Sequence, residues 1–112
     1  MDAYAALADK TRRTIMELLA QHGELSVTAI SRNFDMSQPA ISQHLKILRE
    51  AKLIDVTRAA QSRLYHINKV HMTQVEEWTH KISTVWNTRL HVLEKVLKIQ
   101  SAKYAEKNKS YV

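Results

Sequence analysis

The residues best equipped for chemistry sit in one stretch, Ser37-Gln38-Pro39-Ala40-Ile41-Ser42-Gln43-His44-Leu45-Lys46. Within it Ile41, Leu45 and Leu48 recur at i, i+4 and i+7, one face of an α-helix. With that face turned inward, Gln38, Ser42, Gln43 and Lys46 point outward and His44 stands at the margin. These side chains can read base edges: Gln pairs bidentately with adenine, Ser bonds several bases, and Lys suits guanine or phosphate. Ser37 is placed to cap the helix, whose free N–H groups can hold a phosphate. A polar outward face is also what plain solvation produces, so the surrounding elements must decide between the two readings.

Other chemistries find little support. There is no cysteine, which excludes disulfides, thiolate metal sites and thiol redox switches. No Gly-rich phosphate loop and no coherent grouping of Ser, His and carboxylate occurs, so an enzyme is not expected, nor a cofactor. Seventeen Lys and Arg against eleven Asp and Glu give a formal charge of +6, which suits a polyanionic partner. The surplus is uneven: nine basic against seven acidic residues over 1–68, eight against four over 69–112. The N-terminus has no secretory pattern and no apolar run has membrane-spanning length, so a cytoplasmic location is expected.

The elements that would position the stretch can be read along the chain, with one Gly and one Pro pointing to a helix-dominated fold. A short helix covers Asp2 to Leu7. Asp9 caps a second, with Ile15, Leu18 and Leu19 inward and Gly23 as its stop. Ser26 caps a third, carrying Val27, Ile30 and Phe34. After Asp35-Met36-Ser37 the fourth begins, with Pro39 harmless in its first turn. This is a helix-turn-helix over 26–50. From Lys52 the period changes to two, with Ile54 and Val56 alternating against Asp55 and Thr57 and a second run from Arg63 to Ile67. Residues 53–68 thus predict a hairpin, or wing, with its tip at Arg58 to Ser62. Arg58 and Arg63 flank that tip, within reach of phosphate or the minor groove, where they would position the protein rather than specify sequence.

A last helix is expected over 71–100, followed by a basic tail over 101–112. Val75, Trp78, Ile82, Val85, Trp86, Leu90, Leu93 and Leu97 recur along it every three or four residues. So long a stripe exceeds what a 112-residue domain can cover, and two copies packed together explain it. Tryptophans on such a stripe are interface packing rather than ligand walls. The predicted fold is mainly α with a small β-hairpin, a single winged helix-turn-helix domain in the order α-α-α-α-β-β-α.

Three pieces of the chain, "ALADKTRR", "SQPAISQHLKILREAKLI" and "RLYHIN", resemble the ArsR-type (ArsR/SmtB) family of repressors, the match running from about Ala3 to Asn68. The resemblance implies a homodimer built on the first and last helices, with Tyr4 and Leu7 joining the stripe residues from Val75 to Leu93. It implies binding to double-stranded DNA at an inverted-repeat operator, and repression, often of the protein's own operon. Carried onto this chain, the family's DNA-contacting positions are Ser37, Gln38, Ser42, Gln43 and His44. The wing tip departs from the family in lacking Gly, and the thiol-based sensing of arsenic or cadmium cannot operate here.

Some members of that family bind zinc on the last helix with Asp-x-His-x10-His-x2-Glu/His shared between protomers. This chain keeps three of those four spacings, in Trp78-x-His80-x10-His91-x2-Glu94, with Trp in the first ligand position. Alignment from the wing puts Lys69, His71 and Ile82 at the family's ligand positions instead, so no metal site is expected. His22, His44, His66 and His71 show no ligand spacing. The reading is a dimeric DNA-binding repressor. Its rivals are a winged-helix protein-interaction module without specific DNA binding, and a zinc-responsive repressor using His80, His91 and Glu94.

Overall fold

The structure is a computed structural model that describes residues 1–109, with side chains to Ala105. The chain divides into a compact unit, Met1–Val75, and a helical unit from Glu76 onward. The elements are α1 (Ala3–Ala6), α2 (Lys10–His22), β1 (Leu25–Ser26), α3 (Val27–Ser31), α4 (Gln38–Glu50), β2 (Ile54–Ala59), β3 (Ser62–Ile67) and α5 (Lys69–Lys109).

Each of the first four helices is started by a side chain that takes up an orphan N–H of its first turn. Asp2 accepts from Ala5 N at 2.7 Å, Asp9 from Arg12 N at 3.0 Å, Ser26 from Ala29 N at 3.2 Å and Ser37 from Ala40 N at 3.3 Å. Gly23 ends α2 with φ 82°, its N–H reaching Leu19 O at 2.8 Å. At the end of α4 the N–H of Lys52 bonds Arg49 O and that of Leu53 bonds Leu48 O, each at 3.0 Å. This Schellman arrangement holds Lys52 at φ 64°, a position that normally favours Gly.

The core of the first unit gathers Ile15 and Leu19 of α2, Ile30 of α3 and Ile41, Leu45 and Leu48 of α4, with Leu53, Ile54 and Tyr65 closing it. Burial of each aliphatic side chain contributes about 1.5–3 kcal/mol against the entropy of ordering the chain. The sheet has three strands in the order β1-β3-β2, all antiparallel. Leu25 pairs with Tyr65 and Ser26 with Leu64, so the residue that caps α3 also holds the edge of the wing. Sequence patterning did not reveal β1, because two residues show no period.

Three boundaries differ from the sequence reading. α3 stops at Ser31, and Phe34 lies in the turn beyond it, still half-buried against the core. There the chain tightens, Asn33 N reaching Ile30 O and Phe34 N reaching Ser31 O, each at 3.1 Å. The wing strands are longer and its tip shorter than expected: Ala59 pairs with Ser62, leaving Ala60-Gln61 as a two-residue turn. Ala60, at φ 56°, takes the strained first position that Gly would ordinarily occupy. Finally, α5 starts at Lys69, with Asn68 Oδ1 accepting from His71 N at 3.1 Å, and continues through residues expected to form a tail. At 41 residues it is about 60 Å long. The tail lysines Lys107 and Lys109 have side chains outside the described set, as do residues 110–112. No helix of the described residues is long and apolar enough to cross a membrane.

Candidate nucleic-acid interface

The outward face of α4 is set by the burial of its opposite face. Ile41, Leu45 and Leu48 are fully enclosed, which leaves Gln38, Ser42, Gln43 and Lys46 exposed along one side. Ser37 opens that side with its hydroxyl spent on the Ala40 N–H. Pro39 lies in the first turn, where no intrahelical donor is needed. The short polar residues Ser42 and Gln43 therefore lie between a helix N-terminus and a lysine, a face that offers donors, acceptors and positive charge together.

His44 lies at the edge of that face. Its ring turns back toward α2, where Nδ1 lies 3.3 Å from Arg12 Nη1 and 3.8 Å from Asp9 Oδ2. Position 44 follows Ile41 by three and precedes Leu48 by four, close enough to the buried stripe for the ring to be drawn inward. His44 thus stands at the margin of the face, with Nδ1 engaged inside the fold.

Arg12 is the residue that sequence reasoning overlooked. It is only 9% exposed and shares a face of α2 with Ile15, Met16 and Leu19. Its Nε donates to Ala6 O at 2.6 Å, while Arg13 Nη1 donates to Leu7 O at 2.9 Å. The adjacent arginines thus take up carbonyls left free at the end of α1. The signal was present in the spacing 12, 15, 16, 19, which puts a charged residue on the buried stripe. Asp9, whose carboxylate caps α2, is held below its ordinary value by the hydrogen bond from Arg12 N. The nearby Arg12 charge acts in the same direction.

In the wing Arg58 and Arg63 are direct cross-strand partners and both are exposed. They sit beside the turn, on neighbouring strands, rather than at the two ends of a loose tip. Among the described residues neither has an acidic partner.

The residues expected at a subunit contact fall into two groups. Leu7 and Val75 are partly buried against the core of the first unit, so that core accounts for much of their surface. Tyr4, Trp78, Ile82, Val85, Trp86, Leu90 and Leu93 are exposed, Trp86 by 55% and Val85 by 64%. Among the described residues no three His, Asp or Glu side chains approach closely enough to hold a metal ion. His80 and His91 lie on one continuous helix, with a rise between them of about 16 Å. Within one chain the zinc set is therefore not assembled.

The chain is similar to known proteins in sequence and in fold. Residues 9–56 match the family described as bacterial regulatory protein, arsR family. An HTH-type transcriptional regulator of Mycobacterium tuberculosis is 47% identical over 66 residues, or 59% of this chain. That match spans 61% of the relative's own length. The transcriptional repressor SdpR of Bacillus subtilis is 34% identical over 77 residues, covering 69% of this chain and 84% of the repressor. A homodimeric winged helix-turn-helix DNA-binding domain from Mycobacterium bovis superposes with a TM-score of 0.59 at 28% identity. It covers 71% of this chain and 73% of that one.

Proposed function

Because the chain belongs to the arsR family of bacterial regulatory proteins, we propose that it is a homodimeric, sequence-specific DNA-binding repressor. The observation that carries this reading is the exposed row Gln38, Ser42, Gln43 and Lys46 on a helix whose other side is locked into the core. A helix so fixed can enter a major groove N-terminus first, with Gln43 and Ser42 at base edges and Lys46 at guanine or the backbone. Arg58 and Arg63 then meet phosphates beside the groove and set the register.

Two copies joined through the exposed stripe of α5 would present two such helices. On an inverted repeat they would occupy successive major grooves, about 34 Å apart, and exclude other proteins from the promoter. The relation to a repressor and to a homodimeric DNA-binding domain supports both parts of the reading.

The test is a fluorescence-anisotropy titration of the protein on duplex from the upstream region of its own gene, beside a scrambled duplex, at two salt concentrations. A preference of about a thousandfold or more is expected for a specific regulator. Weak, equal binding that salt abolishes overturns the proposal and favours a protein-interaction module instead.

A further inference from the structure

Arg12 adds a polar link between α1 and α4, two elements that already meet in the core through Ala6 on one side and Ile41, Leu45 and Leu48 on the other. Its guanidinium bonds the carbonyl of Ala6, at the end of α1, and the ring of His44, in the second turn of α4, at 2.6 and 3.3 Å. A third nitrogen approaches Met1 Sδ at 3.9 Å. We infer that Arg12 and His44 form a relay that sets the pose of α4 from the position of α1, so that His44 is a positioning residue for DNA reading. This rests on the DNA-binding reading of α4 given above.

The chemistry of the contact makes the link rigid. A guanidinium is planar and carries only donors, so Nε and Nη1 cannot be re-aimed independently. A shift of the Ala6 carbonyl therefore carries Nη1 with it. Because arginine can only donate, Nδ1 is the accepting atom of His44 in this contact. Asp9 does not compete for Nδ1 in this state: its Oδ2 is 3.8 Å away and already accepts the Arg12 N–H at 3.0 Å.

Position makes the link consequential. His44 directly follows Ser42 and Gln43, so a rotation of α4 that frees its ring also turns those side chains away from their bases. At the other end α1 is a four-residue helix that carries the exposed Tyr4. A contact made by α1 with a second subunit is thereby transmitted to α4 through two side chains in sequence.

The experiment compares His44→Asn, His44→Gln and His44→Ala in the full-length protein. Asn places an acceptor where Nδ1 lies, whereas Gln extends toward the position of Nε2. Affinity for the upstream duplex should fall about tenfold in the Ala and Gln variants and stay within about twofold of wild type in the Asn variant. Binding to scrambled duplex and helical content should not change. Hydrogen exchange without DNA is the second readout: amides of Gln38 to Leu45 should exchange faster in the Ala and Gln variants, and at the wild-type rate with Asn. Equal α4 exchange in all four proteins overturns the relay. Should the Ala variant fail to fold, the contrast of Asn with Gln still decides it. A wild-type protein with no preference for the upstream duplex refutes the DNA-binding reading, while the exchange data still judge whether the Arg12–His44 contact holds α4.

Discussion

Arg58 and Arg63 face each other directly across the two strands of the wing, one pair in from the turn. Side chains opposed in this way have Cβ atoms about 5 Å apart, and like charges there repel. A phosphate seated between the two guanidinium groups would relieve that repulsion.

Replacing either arginine with Ala should therefore weaken binding to every duplex by a similar factor. The slope of log affinity against log salt should fall by about one for each arginine removed. The free protein should not lose stability. Titration of both variants over a range of salt measures this, and an unchanged slope would remove the wing from the interface.

Gln43 is expected to behave differently. Gln43→Ala should cost about 1–3 kcal/mol at one base position and little elsewhere, as loss of a bidentate contact does. Binding to a set of duplexes with single base changes reads this out. Uniform weakening across the set would reassign Gln43 to the backbone.

The apolar stripe of α5 makes a prediction about assembly. Trp86 and Leu93 are each more than half exposed in the single chain. Trp86→Glu with Leu93→Glu should give a folded monomer by sedimentation, with much reduced affinity for the upstream duplex. A double variant that remains dimeric would locate the subunit contact on another surface.

Asp9 supplies a pH signature. Its carboxyl is lowered from the ordinary 3.8 chiefly by the hydrogen bond from the Arg12 N–H, with the Arg12 charge adding. A lowered value in the folded chain means that folding favours the ionised form. The contribution is therefore complete above 3.8 and is lost as pH falls through the lowered value. Asp9→Ala should cost about 1 kcal/mol near neutral pH. Its difference from wild type in denaturant unfolding should narrow on acidification below the carboxylate range. A constant difference would mean that packing, not the ionised cap, is what the substitution removes.

Much of this protein is written locally in its sequence. The caps at Asp9, Ser26 and Ser37, the stop at Gly23 and the inward row Ile41, Leu45 and Leu48 follow from short-range rules: side-chain oxygens meet orphan N–H groups and a 3.6-residue period selects a face. The outward polar row of α4 follows from the same period. What tertiary structure decided are the matters that depend on a distant neighbour. Leu25 and Ser26 become a strand only because β3 lies beside them, and two residues cannot announce a period of two. His44 stands at an angle from which its ring could face either way, and Arg12, thirty-two residues earlier, draws it inward. Arg12 itself is legible as a charge on a buried stripe, but its partners are not, since a hydrogen bond across the fold leaves no trace in the spacing of either residue.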